Sequence, residues 1–199
     1  MNTRTRALRA ALPLVAALGL AGCAGTAAGS GDMPGMDHGS DGHTASAAGA
    51  TAADVMFVAM MIPHHEQAVE MAEIVLAKDD VDPRVVAIAE RVQAAQGPEI
   101  ERMQGWLEGW GVDPESAGGM DHGGGMMTAD DMTALEGADG ATASRLFLEQ
   151  MVVHHEGAVE MAQTALEDAA DVDVRALAQQ VIDDQTAEIA EMQQLADAL

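Results

Sequence analysis

The sequence predicts an all-α protein, an up-down four-helix bundle made of two repeated αα-hairpins. Three observations carry this. The chain repeats itself: FVAMMIPHHEQAVEMAEIVLA (57–77) returns as FLEQMVVHHEGAVEMAQTALE (147–167), and AERVQAAQGPEIERMQGWL (89–107) returns as AQQVIDDQTAEIAEMQQLA (178–196). Within these segments apolar residues recur three and four apart, the spacing of one helical face. Aromatic residues are only 2% of the chain, too few for β-rich cores or base-stacking platforms. What remains is rich in Ala, Leu, Val, Met, Glu and Gln, mostly good helix formers.

The elements follow in order. Arg4, Arg6 and Arg9 form a basic leader, and Ala10 to Leu20 an apolar stretch too short to span a bilayer comfortably. Leu20-Ala21-Gly22-Cys23 then resembles the lipobox of bacterial lipoproteins, in which the cysteine is lipidated. Residues 1–22 therefore read as a lipoprotein signal peptide, and the expected location is the outer face of the cytoplasmic membrane or the cell envelope, anchored by lipid at Cys23. Residues 23–50 are Gly, Ala, Ser and Asp-rich without apolar period, and read as a tether. The bundle is expected over 51–199, with repeats at 51–110 and 141–199 and a Gly-rich connector at 111–140. Thr51 with Asp54 forms a capping box for a helix over 52–78. Asp82-Pro83 is an N-cap followed by proline at the first helical position, opening a helix over 83–110. Thr128 with Asp131 marks a short helix to Ala138, and long helices follow over 142–169 and 173–198, with Asp171 placed as Asp82 is. Each long helix would span about 40 Å at 1.5 Å per residue. Pro63 should remove one backbone hydrogen bond and kink the first helix; Val153 occupies that place in the second copy.

Charge excludes whole classes of function. The chain carries 33 acidic and nine basic residues, a net −24, and loss of residues 1–22 leaves only six basic residues. Such a surface repels phosphate, so nucleic acid and anionic membrane surfaces are poor partners, while cations and basic proteins are favoured. The single cysteine permits neither an intramolecular disulfide framework nor a cysteine-based zinc site.

The inward faces carry the chemistry. At 100° per residue, Phe57, Met60, Met61, Ala68, Met71 and Val75 share a face with His64, whereas Glu66 and Glu73 point away and His65 lies at the edge. Phe147, Met151, Ala158 and Met161 likewise share a face with His154. On the second helix Val85, Ile88, Val92, Gln96, Glu99, Met103, Trp106, Leu107 and Trp110 form one stripe. Val174, Leu177, Val181, Gln185, Glu188, Met192 and Leu195 form its copy. A buried polar group costs several kcal/mol unless partnered. The same polar set placed twice in apolar stripes argues that its members partner one another. Three readings follow: a hydrogen-bond network fixing helix register, a metal site of imidazole, carboxylate and thioether, or a catalytic His–Glu pair. For the metal reading the ligand candidates are His64, His65, Met61, Met71, Glu99 and Met103, with His154, His155, Met151, Met161, Glu188 and Met192. Thioether favours Cu(I) and imidazole accepts copper in either state, so copper leads over other transition metals. A methionine stripe can equally be core filling.

Two Gly-rich stretches, GDMPGMDHGSDGH (31–43) and GGMDHGGGMM (118–127), share GMDHG and lack any period. Their methionines are therefore not expected to fill a core. They resemble the methionine–histidine segments of bacterial extracytoplasmic copper proteins, with Met33, Met36, His38, His43, Met120, His122, Met126 and Met127 as weaker ligands. Ordering such loops costs entropy, so they would bind weakly and exchange readily.

Both HHE-x-AVEMA motifs, the paired E-I-x-x-M segments and the GMDHGG connector resemble the exported bacterial family labelled domain of unknown function 305, over nearly all of 52–198. The resemblance implies a ferritin-like four-helix bundle, with extracytoplasmic copper binding and tolerance in some members. Motif matches carry over His64, His65, Glu66, Glu70, Met71, Glu99 and Met103, and His154, His155, Glu156, Glu160, Met161, Glu188 and Met192. The first copy keeps MIPHH; the second departs from it with Met151-Val152-Val153 before its histidines. The leading expectation is a lipid-anchored extracytoplasmic protein that sequesters or hands over copper without turnover. Its rivals are a ferritin-like metalloenzyme or oxidoreductase and an interaction module with a buried His–Glu network. A di-iron centre would be thin, since each repeat offers one inward glutamate and none three residues before His64 or His154. A hydrolase lacks a nucleophile beside the His pairs.

Overall fold

A computed structural model describes residues 49–113 and 124–199. The described residues form five helices and no strand: α1 (Ala52–Leu76), α2 (Pro83–Trp110), α3 (Ala129–Gly137), α4 (Gly140–Asp168) and α5 (Val172–Ala196). The all-α bundle is as expected, and helix ends fall within two residues of the sequence reading. One two-residue difference is at α4, where the Asp139 side chain accepts from the Thr142 amide and so starts the helix at Gly140. Both capping boxes form, at Thr51 with Asp54 and at Thr128 with Asp131. Gly111 ends α2 in the left-handed conformation at φ 68°. α1 continues through Pro63 and α2 through Pro98. None of the described helices is long and apolar enough to cross a membrane.

Packing divides the interior into two apolar clusters. One joins Met71 and Val75 of α1, Ile88 and Val92 of α2, Leu135 of α3, Phe147 and Met151 of α4 and Met192 of α5. The other joins Phe57 and Met61 of α1, Met103 and Leu107 of α2, Ala158 and Ala162 of α4 and Leu177 and Val181 of α5. The start of α1 thus meets the end of α2 and the end of α4, which makes these neighbours antiparallel. Burial of each large side chain is worth about 1.5–3 kcal/mol. Between the clusters every long helix contributes polar residues, and that layer is the candidate site.

The repeat also builds the hairpin junctions. Asp54 is fully buried and accepts from the Thr51 amide and hydroxyl at 2.7 and 2.6 Å. Its other oxygen accepts from the Ala170 and Asp171 amides at 3.0 Å each, tying α1 to the start of α5. Burial acts to raise its pKa, but these donors outweigh it and hold the carboxyl below the usual range. Ser144 stands at the matching place on α4, and its hydroxyl accepts from the Asp82 amide at 3.1 Å, tying α4 to the start of α2. Ser144→Ala is expected to lower stability by about 1 kcal/mol through that unpaired amide. A urea melt shows it as a lower midpoint with unchanged slope; an unmoved midpoint removes this junction from the account.

Candidate metal centre

His64 and His65 on α1, His154 and His155 on α4, Gln96 and Glu99 on α2, and Gln185 and Glu188 on α5 make one polar layer. All four imidazoles are fully buried. His64 and His154 face each other with ring centroids 3.8 Å apart and planes tilted by 39°. None of their four ring nitrogens makes a hydrogen bond. The outer histidines are held differently. His65 Nε2 donates to Glu99 Oε2 at 2.9 Å, and His155 Nε2 donates to Glu188 Oε2 at 2.8 Å. A carboxylate only accepts, so Nε2 carries a proton in both rings. Both Nδ1 atoms are buried and unpartnered.

This corrects one expectation and settles the orientation of the edge histidines. Glu99 and Glu188 partner His65 and His155, not the mid-stripe His64 and His154. His65 is fully buried, because the layer is two side chains deep and its edge position meets α2. Gln180, which the sequence reading passed over, donates from Nε2 to the second oxygen of Glu99 at 2.9 Å and bridges α5 to α2.

Electrostatics keep the inner pair neutral. The His64 pKa falls to about 3, chiefly through burial and secondarily through the neighbouring His65 and His155 rings. The Gly124 backbone beside the ring opposes the shift. His154 is lowered well below the usual range by burial and then by His64, His155 and His65. A neutral imidazole keeps a lone pair for a metal.

The sequence pattern described as domain of unknown function (DUF305) matches residues 54–196. The chain belongs to the DUF305 family. It is 34% identical to a DUF305 protein from Streptomyces coelicolor, described as secreted, with 72% of this chain and 91% of that one covered and a TM-score of 0.66. A DUF305 fragment from Deinococcus radiodurans is 31% identical, with 75% and 99% covered and a TM-score of 0.66. CopM in its Cu(I)-bound form is 32% identical, with 73% and 96% covered and a TM-score of 0.61; CopM structures with Cu(II) and with silver match similarly. No curated protein matches the chain.

Within this DUF305 chain the thioethers sort by depth. Met61 and Met103 are fully buried in the cluster on one side of the polar layer, and Met71, Met151 and Met192 in the cluster on the other. Met61 and Met151 each lie one turn before a mid-stripe histidine, and Met103 and Met192 one turn after a layer glutamate. Met161 is half-buried and lines, with Met56 and Met60, a separate groove of about 360 Å³ between α1 and α4. Glu66, Glu70, Glu156 and Glu160 are exposed. Among the described residues no three His, Cys, Asp or Glu side chains form a ready metal cage. Any ion held here would rely on the thioethers or on movement of the rings.

Of the loop candidates, Met33, Met36, His38, His43, Met120 and His122, like Cys23, lie outside the described residues. Met126 and Met127 are half-buried. Met127 packs against the first apolar cluster, contrary to the expectation that loop methionines fill no core. The cause is Gln67, whose side chain donates to the Met127 carbonyl at 3.0 Å and accepts from its amide at 2.7 Å. Gln67 directly follows the HHE motif, and the same repeat position in α4 is Gly157.

Proposed function

We propose that this DUF305 protein is an extracytoplasmic, lipid-anchored carrier that sequesters copper or hands it on, with the His–Met layer holding the ion as cargo. The observation that carries this reading is the facing pair His64 and His154, whose four buried nitrogens have no partner. An unsatisfied buried polar atom costs about 1–3 kcal/mol, a cost that coordination would relieve. His65 and His155 add two free Nδ1 atoms, each on a ring oriented by a carboxylate, the arrangement that fixes and strengthens imidazole ligands. Buried thioethers on both sides suit a soft ion. CopM has been solved with Cu(I), Cu(II) and silver, which supports copper here. The secreted description of the Streptomyces relative and the lipobox-like Cys23 support export and anchoring.

The expected result is near-stoichiometric binding of Cu(I) by the mature chain, weakened at least tenfold in a His64→Ala, His154→Ala double variant. Deleting 31–43 or 118–127 separately is expected to remove only weaker, fast-exchanging sites. An affinity unchanged in the double variant dismisses the core site.

The paired bonds His65–Glu99 and His155–Glu188 favour a second reading, a network that fixes helix register and binds nothing. The two part on thermal stability, because a ligand bound only to the folded state must raise it. The enzyme reading has less support, since Glu66, Glu70, Glu156 and Glu160 face solvent.

A further inference from the structure

Four fully buried rings pose the question of how an ion reaches them. On the α1–α4 side the way is covered. The Gly124–Gly125 backbone lies directly on Gly157, and Gln67 fastens Met127 beside it. The opposite side differs. α2 packs along α1 and α5 along α4, but α2 and α5 stand apart and leave a groove of about 520 Å³. Its lining includes the layer residues Gln96, Glu99, Gln185 and Glu188, with the buried Val181 beside them. Ala95 and Ala187, small and exposed, keep its mouth wide.

The groove presents oxygen from Gln96, Glu99, Asp184, Gln185 and Glu188, and its one cation, Arg91, is paired with Glu191 at 2.6 Å. Gln96 and Gln185 are 3% and 4% exposed, occupy matching repeat positions, and each has a buried Oε1 with no hydrogen-bond donor. Two such oxygens in one groove point to a ligand that is electron-poor. Pro98 lacks an amide hydrogen and so deprives the carbonyl of Ala94, a residue lining this groove, of its usual helical donor. Glu99 and Glu188 link the groove to the interior, each through one bond to the ring behind it. Amide and carboxylate oxygens replace water around a cation, whereas imidazole and thioether behind them hold a softer ion more tightly.

We propose that the α2–α5 groove is the port of the metal site, where a hydrated cation first exchanges water for the oxygens of Gln96, Gln185, Glu99 and Glu188 before passing inward to the imidazoles. This rests on the copper reading above.

The test is the rate of copper uptake by the full mature chain. Copper is supplied as hydrated Cu(II) sulfate, and quenching of the Trp106 and Trp110 fluorescence on α2 is followed by stopped flow. Gln96→Leu with Gln185→Leu is expected to slow uptake at least tenfold. Ala95→Phe with Ala187→Phe fills the mouth from exposed positions, and should slow uptake equally while leaving the melting temperature and the final affinity unchanged. Ala52→Phe, in the groove between α1 and α4, should leave the rate as it was. Unslowed uptake in both groove variants overturns the port, as does equal slowing by Ala52→Phe. Absence of any copper uptake by the unaltered chain overturns the copper reading itself, and the two failures are thus distinct.

Discussion

Below pH 6.5 the metal-free protein is expected to lose stability through two side chains, His64 and His154. An unfolded imidazole titrates near 6.5, whereas folded His64 titrates near 3 because burial and its neighbouring rings disfavour the charge. Between those values the unfolded chain binds the proton and the folded chain does not. Stability is therefore whole above 6.5, falls as pH drops through this window, and levels off beneath it. At pH 5 the gap is worth about 2 kcal/mol for His64 alone. His154 is lowered by the same causes and adds to the loss in the same direction. For a chain of this size the His64 part is roughly 4–8 °C in Tm. The contrast is with His64→Leu, His154→Leu, which keeps the other titrating groups and should show a flatter profile between pH 7 and 5. Parallel profiles for the two proteins mean that the rings are not held neutral. Added copper should steepen the native profile, since protons and metal compete for the same lone pairs.

Much of the arrangement behind that prediction is legible in the chain. The repeat places His64 with His154 and Glu99 with Glu188, and the 3.6-residue period turns each set inward. Capping residues Thr51, Asp82, Thr128 and Asp171 mark four helix starts as the structure has them. What stays hidden is which polar residue meets which. Helical period fixes a direction around one helix to within tens of degrees, and His64 and His65 are 100° apart, so both satisfy an inward reading once two neighbours share the layer. Only the separation of α2 from α5 and the closeness of α1 to α4 decide that glutamate meets the second histidine and that the first histidines meet each other. Gln180 is unreadable for a related reason. Its repeat partner is Arg91, which pairs with Glu191 at 2.6 Å, so the two copies bridge α2 to α5 with different chemistry.

The departures from exact repetition are informative in their own right. Position 67 and position 157 follow the same HHE triplet, yet one is glutamine and the other glycine. Both serve the segment from Gly124 to Met127, which arrives on one side of the pseudo-symmetric pair only. Gln67 grips it with a two-point amide clamp, and Gly157 lets it approach. The repeat thus supplies the layer twice, and the asymmetric residues next to it close one face and leave the other open.

Gly157→Ala should accordingly be clearly damaging, although it adds a single carbon. A Cβ there would lie 1.9 Å from the Gly124 carbonyl oxygen, 2.6 Å from its carbon and 2.9 Å from the Gly125 Cα. These are backbone atoms, so no side chain can swing aside, and Gly125 sits at φ 92°, where few other residues could follow a shift. The segment must lift, losing the Gln67 clamp and the packing of Met127. Alanine in a helix gains about 1 kcal/mol over glycine, and overpacking costs about 1–3 kcal/mol plus the lost clamp, so a net loss of about 2 kcal/mol is expected. Gly105→Ala supplies the opposite sign. It lies inside α2 with nothing within 4 Å of its Cβ, and should stabilise by about 0.5–1 kcal/mol. Urea melts of the two variants decide the matter: if Gly157→Ala stabilises as Gly105→Ala does, the backbone contact holds nothing. If the contact does act as drawn, combining Gly157→Ala with Gln67→Ala should cost less than the sum of the two, because either change alone already releases the same segment.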